Sequence, residues 1–232
     1  MDSVICLHDA AGGGWQFAVW QRVLAAHGVS SRVLELRAAT TAGEDGGLAA
    51  YRQQISDHCA LNPQPVLIGI GMGGLLALMV AADCAVAALV LINPWQPGGF
   101  EPSTAVPSLD SARRRSLRDI SRALPDADHA TRLIAFRQQR CEPAWLLPQL
   151  QQAVTLEKPA CPLLLLASGG GRDVPSELSR GLASRLRADF ELLPDCSHLG
   201  PLLGVRAASV AERVAAWLAS RAAFSAAAGD LS

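Results

Sequence analysis

Residues 66–78, VLIGIGMGGLLAL, pass from a β-rich apolar run through four glycines into a helix-forming run. Such a stretch reads as a strand turning sharply into a helix, with Gly71 at the bend. A glycine there has no side-chain nucleophile to offer. Gly69, Gly71 and Gly74 also spell G-x-G-x-x-G, the dinucleotide fingerprint. That fingerprint expects an acidic residue at the end of the next strand and sits in the first strand–helix unit of its domain. Here the next strand ends on Asn93-Pro94-Trp95 and the unit is the third, so a nucleotide reading is set aside. Cys196 and His198 lie two residues apart, a spacing on one tight loop that seldom lets a thiol face an imidazole. The six cysteines show no CxxC or CxxH spacing, which argues against structural zinc and for free thiols in a reducing cytoplasm. No metal or cofactor is implied.

Around this stretch, short apolar runs alternate with longer helical patterns. Strands are expected at residues 3–8, 30–36, 66–70, 87–92, 162–167 and 189–193. Helices are expected at 15–28, 48–60, 73–82, 176–187 and 205–221. Strands rich in Val, Ile and Leu without alternation are buried on both faces, and their alternation with helices implies a parallel sheet with right-handed crossovers. Residues 95–158 carry helical patterns with no strand, too long for an ordinary connection. The division is a core at 1–94 and 159–224, a helical cap at 95–158, and a tail at 225–232 expected to fray. Half of the 232 residues are hydrophobic and the net charge is −1, which leaves no electrostatic footprint for nucleic acid. The nearly uncharged run 65–95 is broken by glycine, proline and Asp83, so it is read as buried strand, helix and strand, not as a membrane span. The N-terminus lacks the basic flank of a signal peptide, and a cytoplasmic location is expected.

Four segments, in this order, give the chain a resemblance to the α/β-hydrolase superfamily. LHDAAGGGW (residues 7–15) resembles the loop that helps form the oxyanion hole, and GIGMGG (69–74) resembles the nucleophile elbow. CPLLLLASGGGRDVP (161–175) resembles the strand and loop that carry the acid, and PDCSHLGPLL (194–203) resembles the histidine loop. The resemblance covers nearly the whole chain. It implies a three-layer α/β sandwich with a mostly parallel sheet of about six strands and a helical cap. It also implies that His198 stands where the family keeps its base and that His8 is structural. The nucleophile position is Gly71, and counting back from Pro175 puts the acid position at Gly171, so both are vacant. Asp173 lies two residues further on as a replacement acid, with helix capping or pairing to Arg172 as its plainer role. Asp9 stands where a glycine is usual, either as a catalytic carboxylate or as a solvated loop residue. The oxyanion-hole donors correspond to the backbone N–H of Met72 and of a residue near Ala10.

A lost serine side chain is expected to leave a small space beside His198, wide enough for a water. The favoured reading is a cofactor-free enzyme that uses no covalent nucleophile. His198, with Asp173 or Asp9, moves a proton while the backbone hole holds an enolate or alkoxide, in elimination, cyclisation or isomerisation of a small carbonyl metabolite. One alternative is a non-catalytic binding protein on a hydrolase scaffold. The other is a weak ester or thioester hydrolase using a His198-activated water. Trp95, Phe136 and Trp145 are candidates to line a pocket beneath the cap. The cluster 113–118, with Arg113, Arg114, Arg115 and Arg118, suits an anionic or carrier-bound ligand, set against the default of a solvated helix face.

Overall fold

A computed structural model describes residues 4–37, 47–62, 64–96, 114–143, 146, 149, 158–171 and 174–229, with side chains as far as residue 221. The strands are β1 (Val4–Leu7), β2 (Ser31–Leu34), β3 (Val66–Ile70), β4 (Ala88–Ile92), β5 (Leu163–Ser168) and β6 (Asp189–Leu193). They form one sheet in the order β2-β1-β3-β4-β5-β6, and every pairing is parallel. The core helices are α1 (Ala18–Ala26), which follows a short 3-10 turn at Gly14–Phe17, then α2 (Leu48–Ala60) and α3 (Met72–Asp83). Within 95–158, the segment expected as a cap, lie α4 (Leu117–Ala123) and α5 (His129–Gln138). The chain closes with α6 (Ser176–Leu186), α7 (Gly200–Leu203) and α8 (Ala207–Gly229).

Side chains alternate across the buried strands and so divide the core in two. Ile5, Leu7, Leu67, Leu89, Leu91 and Leu165 face one side, where α2, α3 and α6 cover them. Val4, Cys6, Ile68, Ile70, Val90 and Ile92 face the other, under α1 and α8. Both faces are thus dry, which is why β1, β3, β4 and β5 are buried throughout while the edge strands β2 and β6 are only partly so. The long uncharged run 65–95 resolves into β3, α3 and β4, so its apolarity is the signature of a helix buried on all sides. Among the described residues no helix is long and apolar enough to cross a membrane.

Two local expectations change. The helix expected over 15–28 begins as a 3-10 turn at Gly14–Phe17, with Gln16 and Phe17 buried, and its α-helical part ends at Ala26. The last helix does not end at residue 221 but runs on to Gly229, into the tail expected to fray; the alanine-rich composition there favours helix.

The strand order reverses between β1 and β3, the place where open parallel sheets gather ligands at the carboxyl ends of their strands. Leu7 pairs with Gly69, so the residues just beyond each strand, Asp9 and Gly71, lie opposite one another. Helix α3 approaches β1 closely enough that a Cβ on Gly73 would stand 2.3 Å from the Leu7 carbonyl oxygen. Backbone cannot yield there as a side chain would. Gly73→Ala is therefore expected to cost about 1–3 kcal/mol or more in urea denaturation, as overpacked cores do, whereas Gly181→Ala, which meets open space, is expected to be neutral or stabilising.

Candidate active site

The bend between β3 and α3 holds Gly71 at φ 54° and ψ −117°, a conformation in which glycine is the favoured residue. Its N–H donates to the Ile92 carbonyl and its own carbonyl accepts from Leu75 and Trp95, so the turn is fixed without any side chain. The loop after β1 brings Asp9 to the same point. Asp9 Oδ1 accepts from the backbone N–H of Met72 at 2.9 Å and of Ala10 at 2.8 Å. Asp9 Oδ2 lies 2.8 Å from His198 Nε2. An ionised carboxylate only accepts, so Nε2 carries the proton of this bond. The pair is well shielded, with the two side chains 9% and 8% exposed.

The N–H groups of Met72 and Ala10, the donors expected for a hole, converge on one oxygen, which belongs to the protein itself. A Cβ built on Gly71 would stand 1.9 Å from Asp9 Oδ1 and 2.4 Å from its Cγ. This corrects the expectation of an open space for water beside His198: the Asp9 carboxylate fills the room that a side chain at the bend would take. It also removes the plainer reading of Asp9 as a solvated loop residue, since the residue is buried. Asp9 and a serine at position 71 exclude each other sterically in this arrangement.

His198 is placed from the other side of the sheet. Asn93, at the end of β4 with φ 44°, donates from Nδ2 to the His198 carbonyl at 2.7 Å and to Ser168 Oγ at 2.8 Å. Its Oδ1 accepts from the Ser168 N–H at 2.7 Å, which ties the ends of β4, β5 and the histidine loop together. From the cap, Asp126 accepts the Ser197 N–H at 2.9 Å and the Ser197 hydroxyl at 2.5 Å. Cys196 is buried, and burial pushes its thiol up from the ordinary range, the wrong direction for a thiolate nucleophile.

Of the remaining sequence candidates, Trp95 adjoins the bend, its N–H bonded to the Gly71 carbonyl. Trp95 is packed in the core beneath α3, and Phe136 joins the cap cluster of Ile120, Leu124 and Ala135, with Arg114 over its ring. Trp145, Asp173 and Arg113 lie outside the described residues. Gly171 sits past β5, where a Cβ would meet only ordinary contacts at 3.5 Å. Sequence reasoning missed Asn93, Asp126, Arg140 and Glu142. Asn93 carried a faint signal, being the residue at a strand end followed by proline; the others are joined to the site only by the fold.

His8 is the neighbour whose protonation matters to the loop. It is fully buried; its Nδ1 donates to the Asp9 carbonyl at 2.8 Å, and its Nε2 accepts from the Leu36 N–H at 3.0 Å and from Arg140 at 3.0 Å. Burial, first, and the Arg140 charge hold it below the ordinary histidine value of 6.5. The unfolded chain thus takes up a proton more readily than the folded chain as pH falls through 6.5, so stability is lost on the acid side. Across pH 7 to 5, the wild type is expected to lose stability at a slope up to about 1.4 kcal/mol per pH unit steeper than His8→Gln, read from denaturation midpoints at each pH.

The profile of the alpha/beta hydrolase family matches residues 4–217. Similar solved structures include polyneuridine aldehyde esterase, at 13% identity and a TM-score of 0.74 over 92% of this chain and 99% of that one. The methylesterase protein MES16 from Arabidopsis is 15% identical with a TM-score of 0.73, covering 97% and 100%. MenH from S. aureus is 13% identical with a TM-score of 0.73, covering 95% and 94%. No curated protein sequence matches the chain. At these identities the structural likeness speaks to the fold, and the family match over residues 4–217 makes this chain a member of the alpha/beta hydrolase family.

Proposed function

We propose that this chain is a cofactor-independent enzyme that moves protons on a small carbonyl metabolite through its Asp9–His198 pair, without a covalent nucleophile. The observation that carries this reading is the shared carboxylate: Oδ2 is bonded to His198 Nε2 while Oδ1 sits on the Met72 and Ala10 amides. Because Nε2 carries a proton toward Asp9, the first acceptor of a substrate proton is the carboxylate, and His198 orients it and shares the proton. This reverses the roles expected from the sequence, where His198 was the base and Asp9 its helper. Asp173 remains a candidate partner for the histidine.

The filled hole shapes the chemistry. A substrate oxyanion takes the two amides only when Asp9 Oδ1 gives them up. A carbonyl oxygen that displaces Oδ1 is polarised by both N–H groups, and the displaced carboxylate then faces the carbon next to that carbonyl. Asp9 accepts a proton from that carbon, the electron pair moves to the oxygen as an enolate, and the proton returns at a different atom. Elimination, cyclisation and isomerisation all share this first step. Ester hydrolysis by a water beside Gly71 is disfavoured, since the carboxylate takes that room.

A second reading draws on the same contact. A hole satisfied by the protein's own carboxylate suits a ligand- or partner-binding member that has no oxyanion to stabilise. The two separate on turnover. Once a carbonyl-metabolite screen supplies a substrate, Asp9→Asn and His198→Ala are each expected to lower kcat by roughly 10²–10⁴-fold, the usual worth of general acid–base catalysis. Unchanged kcat in Asp9→Asn would sink the enzymatic reading. Ligand-induced thermal shifts without turnover, in the wild type and both variants alike, would support the binding one.

The steric exclusion gives a further check. Gly71→Ser alone is expected to gain no esterase activity, while Asp9→Gly/Gly71→Ser is expected to react with fluorophosphonates and show a burst on activated esters. Labelling of the single variant at the rate of the double one would show that the carboxylate does not obstruct the bend.

A further inference from the structure

The Asp9 carboxylate is one end of a loop whose other end is held by the cap. Ala11 has a positive φ of 57°, which alanine does not favour. Both of its peptide groups are bonded to residues far along the chain. Its N–H donates to Glu142 Oε1 at 3.0 Å, and its carbonyl accepts from the Arg140 N–H at 2.8 Å. The Arg140 side chain adds a bond from Nε to the Gly12 carbonyl at 2.7 Å. Its Nη2 reaches His8 Nε2 at 3.0 Å and Glu35 Oε2 at 3.0 Å. Glu142 is itself buried and fixed by the Tyr51 hydroxyl, which donates to Oε2 at 2.7 Å. These contacts surround Asp9 on its chain: His8 before it, Ala11 and Gly12 after it. The Asp9 carbonyl accepts from both His8 Nδ1 and the Gly12 N–H, so any shift of the clamped residues is passed to the Asp9 peptide.

We infer that Arg140 and Glu142 are positioning residues that hold the Asp9 carboxylate on the Met72 and Ala10 amides, so that the placement of the 140–142 segment sets whether the hole is filled. The guanidinium suits this task because its fork reaches a carbonyl, an imidazole and a carboxylate at once, which an ammonium does not. Glu142 suits it because one oxygen takes the Ala11 N–H while the other is locked by Tyr51. The inference deepens the proposed role of the Asp9–His198 pair, and its readout requires no turnover.

The test uses the full chain and its amide ¹H–¹⁵N spectrum. The Met72 and Ala10 amide protons report the carboxylate directly, because a charged acceptor shortens and strengthens their bonds. Asp9→Ala fixes their positions with the carboxylate gone. Arg140→Gln is expected to move both resonances toward the Asp9→Ala positions by roughly a third or more of that difference, through loosening of a charge-assisted bond. The amides of Ile68 and Val90 in the core strands should stay in place. Arg140→Lys should restore only part of the shift. Tyr51→Phe unties one oxygen of Glu142 without disturbing the charge, and it should move the same two resonances in the same direction by less. It decides the matter alone if Arg140→Gln does not fold. Met72 and Ala10 resonances unmoved in these variants, or moved only together with the core amides, would overturn the inference and leave Arg140 and Glu142 as mere staples between cap and core. Moved resonances alongside an Asp9→Asn variant of unchanged kcat would uphold the positioning role and refute the proposed chemistry instead.

Discussion

One carboxylate organises the end of this molecule where the loops after β1 and β3 meet. Asp9 places one oxygen on two backbone N–H groups and the other on an imidazole, in a site almost closed to solvent. A buried charge is tolerable only when it is paired and hydrogen-bonded, and here both oxygens are. The site accordingly needs all three partners together. Taking away one partner leaves a buried polar group unsatisfied, typically at about 1–3 kcal/mol. The surrounding structure supplies the restraint that keeps the three together: Asn93 and Asp126 fix the histidine loop, and the glycine bend fixes Met72.

The fold makes this meeting inevitable once the register is set. Parallel pairing of Leu7 with Gly69 carries the chain beyond β1 and β3 to the same height above the sheet. The reversal of strand order between those two strands opens the crevice into which both loops project. The packing of α3, whose glycine at position 73 lets the helix nearly touch the end of β1, brings the Met72 amide within reach of Asp9. Backbone geometry thus supplies the donors, and two side chains supply everything else.

The strands that carry the core were legible in the sequence because a strand dry on both faces has to be an unbroken apolar run, as at residues 66–70 and 88–92. The position of His198 and the two amides followed from the resemblance of their loops. The occupant of the hole did not, although both halves of the substitution were visible: an acid at position 9 and no side chain at 71. Recognising that they fill the same space needs the register of β1 on β3, which no local pattern encodes. The hold of Arg140 and Glu142 on Ala11 spans a separation of 131 residues in the case of Glu142 and was out of reach for the same reason. Which of the two paired groups carries the proton was equally out of reach, because it depends on what each imidazole nitrogen faces.

The mutual exclusion at the bend has a bearing on how such a site can change over generations. With the Asp9 oxygen 1.9 Å from where a Cβ on Gly71 would stand, a side chain at position 71 requires the Asp9 carboxylate to move. Putting a serine back meets a carboxylate, and dropping the acid first leaves the imidazole facing a glycine. Changes at the two positions are therefore not additive, because the residues share one volume: a side chain at the bend is accommodated more readily once the carboxylate is shortened or turned away.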